Sequence, residues 1–442
     1  MTQMTAKDLQ NIAIFGAGLS GLAAYHRACD LGIGCVISDD SDTKVSQIKD
    51  HDWQAWQNWQ WDAIDALVLS PGVPHHHPAP HGVASAAMAH NVPIISEVEF
   101  GLLTGQWGKM IVITGTNGKS TTTALTAHLL SQAGYDVRVG GNLGTPLCAL
   151  DETDDGYTVL ELSSYQLETS PSLAPAMAAL LNITPDHLDR HGGFDGYIDA
   201  KKLALSAVPT NGLALVSYQS EVMAQIADWA DDELSCSVQK ISADDVTEDE
   251  IQNRYLAGAH NRENAAFAIA IAMACGITRS GCLAAIESFI GLDHRLQPVG
   301  DSGSISFIND SKATNGDATA KALSAYENII WLAGGRAKAD GLTACAPYFD
   351  HIHEAHFYGE SADAFYQQAK AHTRCFTHDT LDNAFASATS ALSEGAVILL
   401  SPAAASFDQF DNFGKRGHHF QELVLEYLAA ASASDNKGGL AC

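Results

Sequence analysis

Short apolar runs of strand length recur along the chain, each closed by a glycine, a serine or an acid and followed by helical spacing. Residues 11–15 are the first run, and Gly16-Ala17-Gly18-Leu19-Ser20-Gly21 turns the chain into a helix. Residues 35–38 form a second strand, closed by Asp39. Residues 66–69, ending in Ser70-Pro71-Gly72, and residues 93–95 follow, and this segment closes near Gly105.

A second series begins at residues 109–114, a strand running straight into Gly115-Thr116-Asn117-Gly118-Lys119-Ser120-Thr121. Leu125, Leu129 and Leu130 give helical spacing, and Gly134 stops that helix. Residues 158–162, 177–183 and 212–217 read as strands, and the alanine-rich stretch 264–275 as a buried helix. A third series begins near Gly300, with strands at 305–308, 329–333, 355–358 and 397–400 and a helix at 362–371. Residues 429–442 read as a frayed tail. Strands alternating with helices throughout predict an α/β protein with mostly parallel sheets. The expected domains are residues 1–105, 106–299 and 300–442, which suits 442 residues at roughly 150 per domain.

Composition narrows the function. No run approaches the ~20 apolar residues that span a bilayer, and the polar start lacks a signal-peptide layout. A net charge of −28 disfavours nucleic acid and anionic membranes as partners. Nine acids between Asp228 and Glu250, opposed by Lys240 alone, read as a solvated face. The nine cysteines show no C-x-x-C spacing, which suits a reducing compartment and argues against a zinc site. The expected location is the cytoplasm.

Gly115–Thr121 is the most informative local feature. A strand, a glycine-rich turn and a helix start present backbone N–H groups and a helix dipole to phosphate. Lys119 suits β/γ-phosphate charge and Ser120 a Mg²⁺ ligand, although the first glycine stands later than in the usual phosphate loop. The turn Gly16–Gly21 with Asp39 about 20 residues on has the form of a dinucleotide fingerprint, which a nucleotide-sugar diphosphate also satisfies. Alone it would suggest a nicotinamide oxidoreductase. Glu161 and His187 both fall at carboxyl ends of strands, with Ser120, where a metal could sit. Lys201 and Lys202 follow Tyr197 on a helix, and composition alone reads them as exposed. His75-His76-His77 reads as an exposed loop, and Trp53, Trp56, Trp59 and Trp61 as packing.

Beyond the phosphate loop, residues 160–167, Asp186-His187-Leu188-Asp189-Arg190, His260-Asn261-Arg262-Glu263-Asn264, His294-Arg295, residues 310–315 and 400–410 occur in one order that resembles the Mur ligase family. The resemblance covers essentially the whole chain. It implies a Rossmann-like N-terminal domain that binds UDP, a central P-loop ATPase-type domain and a Rossmann-like C-terminal domain that closes over the site. It also implies ATP-dependent phosphorylation of the alanyl carboxylate of UDP-N-acetylmuramoyl-L-alanine, then attack by D-glutamate, in peptidoglycan synthesis.

By the same resemblance Lys119, His187 and Lys201 are catalytic. Gly115, Thr116, Asn117, Gly118, Lys119, Ser120, Thr121, Asn264, Arg295 and Asp310 meet ATP. Ser120 and Glu161 would hold one Mg²⁺, and His187 with a carbamylated Lys201 a second. Leu19, Ser20, Asp39 and Asn142 lie near the UDP moiety, with Ser41 where the family leads one to expect a base. Lys312, Thr314, Lys338, Ser406 and Phe413 are the features selective for D-glutamate. A monomer is expected. The rival readings are the oxidoreductase, a ligase for another amine, and a nucleotide-gated binding module without turnover.

Overall fold

The computed structural model describes residues 4–48, 51–338, 341–390, 392 and 394–438. Chain contacts divide it into two compact units, Met1–Asp245 with Glu263–Ala285 and Val246–Arg262 with Ile286–Cys442.

The first unit carries two sheets. β1 (Asn11–Phe15), β2 (Gly34–Ser38), β3 (Ala66–Leu69) and β4 (Ile94–Ile95) form a parallel sheet in the order β2-β1-β3-β4. Alternation along β1 sorts its side chains to two cores. Ile12 and Ile14 pack with Ala24, Ala28 and Phe100 on one face. Ala13 and Phe15 pack with Trp59, Trp61 and Val83 on the other. Trp59 and Trp61 are therefore core residues, and Trp53 is exposed. Ser96 caps the helix Glu97–Thr104 by accepting from the Glu99 N–H.

The second sheet holds β5 (Trp107–Thr114), β6 (Val137–Gly141), β7 (Thr153–Glu161), β8 (Met177–Leu180), β9 (Leu213–Ser217) and β10 (Ser237–Ile241), all parallel, in the order β10-β9-β8-β5-β7-β6. β5 lies between β7 and β8, and the helix after it, Lys119–Gln132, leads to β6 beyond β7. The order reverses beside β5, and its carboxyl end opens into the crevice where such sheets take ligands.

The second unit has a six-stranded sheet in the order β11-β12-β17-β13-β15-β16. Its strands are β11 (Gln297–Ser302), β12 (Ile305–Asn309), β13 (Ile329–Gly334), β15 (Ile352–Tyr358), β16 (Arg374–His378) and β17 (Val397–Leu400). Only the β11–β12 pair is antiparallel. A short pair, β14 (Arg336–Ala337) and β18 (Ala404–Ala405), stands beside it. β13 is buried along its whole length, as a strand covered on both faces must be.

The chain end departs from the expected frayed tail. The helix Phe413–Gly438 continues through most of it. Phe420 and Val424 are fully buried against the sheet, with Tyr427 and Leu428 packed behind them, and alanine then favours continuation. Among the described residues no helix is long and apolar enough to cross a membrane.

Candidate active site

β5 delivers Thr114 to the phosphate loop. Gly115 and Gly118 both have positive φ, +154° and +83°, a backbone that glycine adopts without a Cβ penalty. A Cβ on Gly118 would stand 2.3 Å from the Asn264 side-chain oxygen. That contact places Asn264, from the helix Ala259–Ala274, directly over the start of the loop helix.

Asn182, which the sequence reading did not single out, braces the loop. Its backbone carbonyl accepts from the Thr116 N–H at 2.9 Å. Its side chain accepts from the Asn117 N–H at 2.9 Å and donates to the Asn117 carbonyl at 3.0 Å. The signal was an amide interrupting the apolar run 177–183. Thr116 is held likewise, its hydroxyl within 3.2 Å of the Thr184 carbonyl and the Tyr197 hydroxyl.

Lys119 folds back and donates to the carbonyls of Gly115 and Thr116, both at 2.8 Å. Ser120 donates to the Glu161 carboxylate, whose other oxygen accepts from Asn142 at 2.6 Å. Both Ser120 and Glu161 are buried. β5 and β7 pair in register up to Ile113↔Glu161, which brings the acid to the loop.

Lys201 and Lys202 part company on the helix Phe194–Ser206. Lys202 lies 3.7 Å over the Trp229 ring. Lys201 turns inward, 1% exposed, and donates to the Gly115 carbonyl at 2.8 Å. Burial, then the neighbouring Lys119 charge, holds its pKa well below the usual lysine value, against the attraction of Asp186 and Glu161. The composition-based expectation of an exposed lysine is thus corrected at 201.

His187 adopts φ +52°, uncommon outside glycine. Its N–H donates to the Asp186 carboxylate at 3.0 Å, and its ring lies 5.4 Å from that of Tyr165. Arg190 spans from the Tyr165 ring, 4.5 Å away, to the carbonyls of Gly72 and Pro71 at 3.0 and 3.3 Å. It thereby ties this block to the loop after β3. Of the three histidines that follow, His76 and His77 are exposed, whereas His75 is half-buried, 3.8 Å from Glu168. Among the described residues no group of three or more His, Cys, Asp or Glu is arranged to hold a metal by itself.

At the N-terminal glycine turn, Asp39 accepts from the Ala17 N–H at 2.7 Å and the Ser41 N–H at 2.8 Å. Lys44 stands 3.5 Å away. Burial alone would raise this carboxyl, but the two N–H groups and Lys44 outweigh it and leave its pKa below the usual value. Leu19 is 75% exposed at the start of its helix. A Cβ on Gly21 would meet the Gly16 carbonyl at 1.8 Å, so helix and strand touch there through bare backbone. Leu19, Ser20 and Asp39 share this turn, whereas Asn142 bonds to Glu161.

In the second unit, Asp310 is buried at the end of β12. It accepts from the Ser401 hydroxyl at 2.8 Å and the Leu296 N–H at 3.2 Å. Burial pushes its pKa up to about 7, against those two bonds and the charges of Arg295 and Arg416. The fully buried Arg416, also not singled out from sequence, holds this region together. It donates to the Ser311 hydroxyl and carbonyl and to the carbonyls of Gly334 and Ala404. Lys312 stands 3.9 Å over the Phe413 ring. Thr314 is half-buried, Ser406 is buried and Lys338 is exposed.

Comparison with known proteins identifies the family. Residues 113–272 match the family described as the Mur ligase middle domain, and residues 294–404 the Mur ligase glutamate ligase domain. The UDP-N-acetylmuramoylalanine–D-glutamate ligase of Nitrobacter winogradskyi is 38% identical, over 96% of this chain and 98% of its own. That of Rhizobium johnstonii is 39% identical over 94% of each. Among solved structures, UDP-N-acetylmuramate–alanine ligase of Thermotoga maritima superposes with a TM-score of 0.60. It is 18% identical and covers 95% of this chain and 99% of its own, which speaks to the fold alone. Matched over its middle and C-terminal stretches and by relatives along nearly its whole length, the chain belongs to the Mur ligase family.

Proposed function

We propose that the chain joins D-glutamate to the alanyl carboxylate of UDP-N-acetylmuramoyl-L-alanine, converting ATP to ADP and phosphate through an acyl phosphate. It would act as a monomer in cytoplasmic peptidoglycan synthesis. One observation carries the reading. A phosphate loop, the Ser120–Glu161 pair and a buried lysine amine converge at the head of one parallel sheet, in a chain whose full-length relatives are named for this reaction.

The difficulty of the first step is electrostatic, since a carboxylate must approach a γ-phosphate. Lys119 is placed to leave the loop carbonyls for β/γ-phosphate oxygens. Ser120 and Glu161 fit one Mg²⁺, because both offer oxygen to a hard cation and sit beside the loop. His187 and Lys201 are assigned to a second ion, with Lys201 as its carbamate. The neutral amine is the form that takes up carbon dioxide, burial shifts Lys201 towards that form, and the carbamate supplies the oxygen such a cation needs. When bound, the ions supply positive charge between the two anions.

The remaining assignments follow the family match. Gly115, Thr116, Asn117, Gly118, Thr121, Asn264, Arg295 and Asp310 are assigned to ATP, and Leu19, Ser20, Asp39 and Asn142 to the UDP substrate. Lys312 and Lys338 pair the two carboxylates of D-glutamate, with Thr314 and Ser406 as donors and Phe413 orienting Lys312. Residues 1–105, 106–299 and 300–442 are read as the UDP, ATP and amino-acid domains. Each contains one of the three large sheets, apart from the single edge strand β11, which begins at Gln297. An oxidoreductase would leave the second phosphate loop without a task.

Mg²⁺-dependent phosphate release from ATP with UDP-N-acetylmuramoyl-L-alanine tests the proposal, with D-glutamate, L-glutamate, L-alanine or meso-diaminopimelate supplied in turn. Release with D-glutamate alone, lost in Lys119→Ala, is the expected result. Release with another amine overturns the substrate, and release with none overturns the ligase reading.

A further inference from the structure

The cysteines have no part in the reaction above, yet two of them are brought together. Cys29 lies in the last turn of the helix Leu19–Leu31, and Cys35 is the second residue of β2. Between them Gly32 takes φ +69°, and its N–H closes onto the Ala28 and Cys29 carbonyls. The turn folds the chain back so that the two sulfurs stand 4.0 Å apart. Cys29 is exposed and Cys35 half-buried. Tyr25 borders the pair, its hydroxyl bonded to Asp52 at 3.1 Å.

We propose that Cys29 and Cys35 form a reversible dithiol that protects this face from hydrogen peroxide, with Cys29 taking the oxidant and Cys35 resolving it. The Cys29 sulfur attacks one peroxide oxygen and the O–O bond breaks. Cys29 becomes a sulfenic acid, and the second oxygen leaves as water with the thiol proton. The Cys35 sulfur then attacks the Cys29 sulfur, the S–O bond breaks, and a second water leaves with the Cys35 proton. Two thiols have lost two electrons to one peroxide, and a disulfide remains.

The geometry supports each stage. A disulfide holds its sulfurs about 2.05 Å apart, so the present separation must close by about 2 Å. Rotation of an exposed side chain in a terminal helical turn supplies a movement of that size. Burial, then the charges of Cys29 and Asp52, pushes the Cys35 thiol up to about 12. Cys35 therefore keeps its proton and reacts slowly with peroxide, and that proton passes to the departing hydroxyl group as its sulfur attacks Cys29. Cys29 is ten residues along its helix from Leu19, about 15 Å at 1.5 Å per residue. Closing the pair leaves the glycine turn untouched.

Cys29 and Cys35 fall in one tryptic peptide, residues 28–44. The intact protein is treated with graded hydrogen peroxide, quenched with an alkylating reagent and mapped by mass spectrometry. The expected product is peptide 28–44 short of two hydrogens, carrying no alkyl group and restored by dithiothreitol. In Cys35→Ser, and in Cys35→Ala as a second variant, Cys29 accumulates sulfinic acid several-fold faster and is not restored. Thermal melting before treatment verifies that the variants are folded. Two results would overturn the proposal: both thiols staying alkylatable in the wild type, or Cys29 over-oxidising as fast in the wild type as in Cys35→Ser. The wild-type map decides the first whatever the variants do.

Discussion

The Lys201 amine donates to the carbonyl oxygen of Gly115 at 2.8 Å, and Lys119 donates to the same oxygen. Two lysines crowded onto one carbonyl is an unfavourable arrangement for a resting loop, and burial together with the Lys119 charge holds the Lys201 pKa low. The arrangement becomes favourable once one lysine moves to phosphate and the other carries a carbamate. The expected signature is a carbamate resonance in ¹³C NMR after equilibration with ¹³CO₂, absent in Lys201→Met. That variant loses ligation at least ~100-fold. It also melts higher, because a buried ionisable amine has been replaced by an apolar chain. A lower melting temperature with no carbamate signal in the wild type would remove Lys201 from the metal site.

Glu161 holds Ser120 with one oxygen and Asn142 with the other. Glu161→Gln keeps the shape and removes the charge. The fold should survive with a loss of stability on the order of 1 kcal/mol, while kcat falls ~100-fold or more. The Mg²⁺ concentration for half-maximal rate should rise with it. An unchanged Mg²⁺ dependence in a folded Glu161→Gln protein would assign Glu161 to loop support alone.

The most legible strands are those buried on both faces, although β2 and β4, the outer strands of the four-stranded sheet, were also read from their short apolar runs. β1, β3, β5, β13 and β17 carry continuous apolar runs, and the sequence reading placed each within a few residues. β6, β10, β11 and β16 went unread, and all four are the outer strands of the two six-stranded sheets. With one side unpaired they carry mostly exposed and half-buried positions, as in Ser237–Ile241 and Arg374–His378, and the apolar run that marks a parallel strand is missing. The same logic divides the site. Gly115–Thr121 is contiguous, so its chemistry is visible in the chain. Asn182 and Arg416 act through backbone carbonyls and amides distant in sequence, and no local pattern announces such bonds. Lys201 and Lys202 look alike in sequence, and the helix face decides between them.

Lys44 answers the missing base at Ser41. It reaches back one helical turn to Asp39, its nitrogen 3.5 Å from the carboxylate and 4.0 Å from where a Gly18 Cβ would stand. Both groups face the glycine turn assigned to the UDP diphosphate. Lys44 is about half exposed, so its contribution is small, about 0.5–1 kcal/mol. Lys44→Ala should raise KM for the UDP substrate roughly 2–5-fold and leave KM for ATP and D-glutamate unchanged. The effect should shrink as salt is added. Equal changes in all three KM values would locate the effect in the fold instead.

Asp310 makes the fold less stable as pH rises towards neutrality. Its folded pKa is about 7 because burial penalises the carboxylate, and the usual carboxyl value is 3.8. Between those values the folded chain holds a proton that the unfolded chain has released. Unfolding free energy therefore falls as pH rises from about 4 to about 7, and this contribution is flat beyond. Asp310→Asn cannot ionise; its one oxygen can keep the Leu296 N–H, and its NH₂ group can donate to the Ser401 hydroxyl in place of the bond the carboxylate accepted. The variant should thus gain on the wild type as pH rises, with melting temperatures closest at pH 5 and furthest apart at pH 8. Arg295 and Arg416 pull the other way, so the separation at pH 8 reports how far their charges compensate the buried carboxylate. A constant offset between the two proteins from pH 5 to pH 8 would mean that Asp310 is ionised throughout, with the arginines outweighing burial.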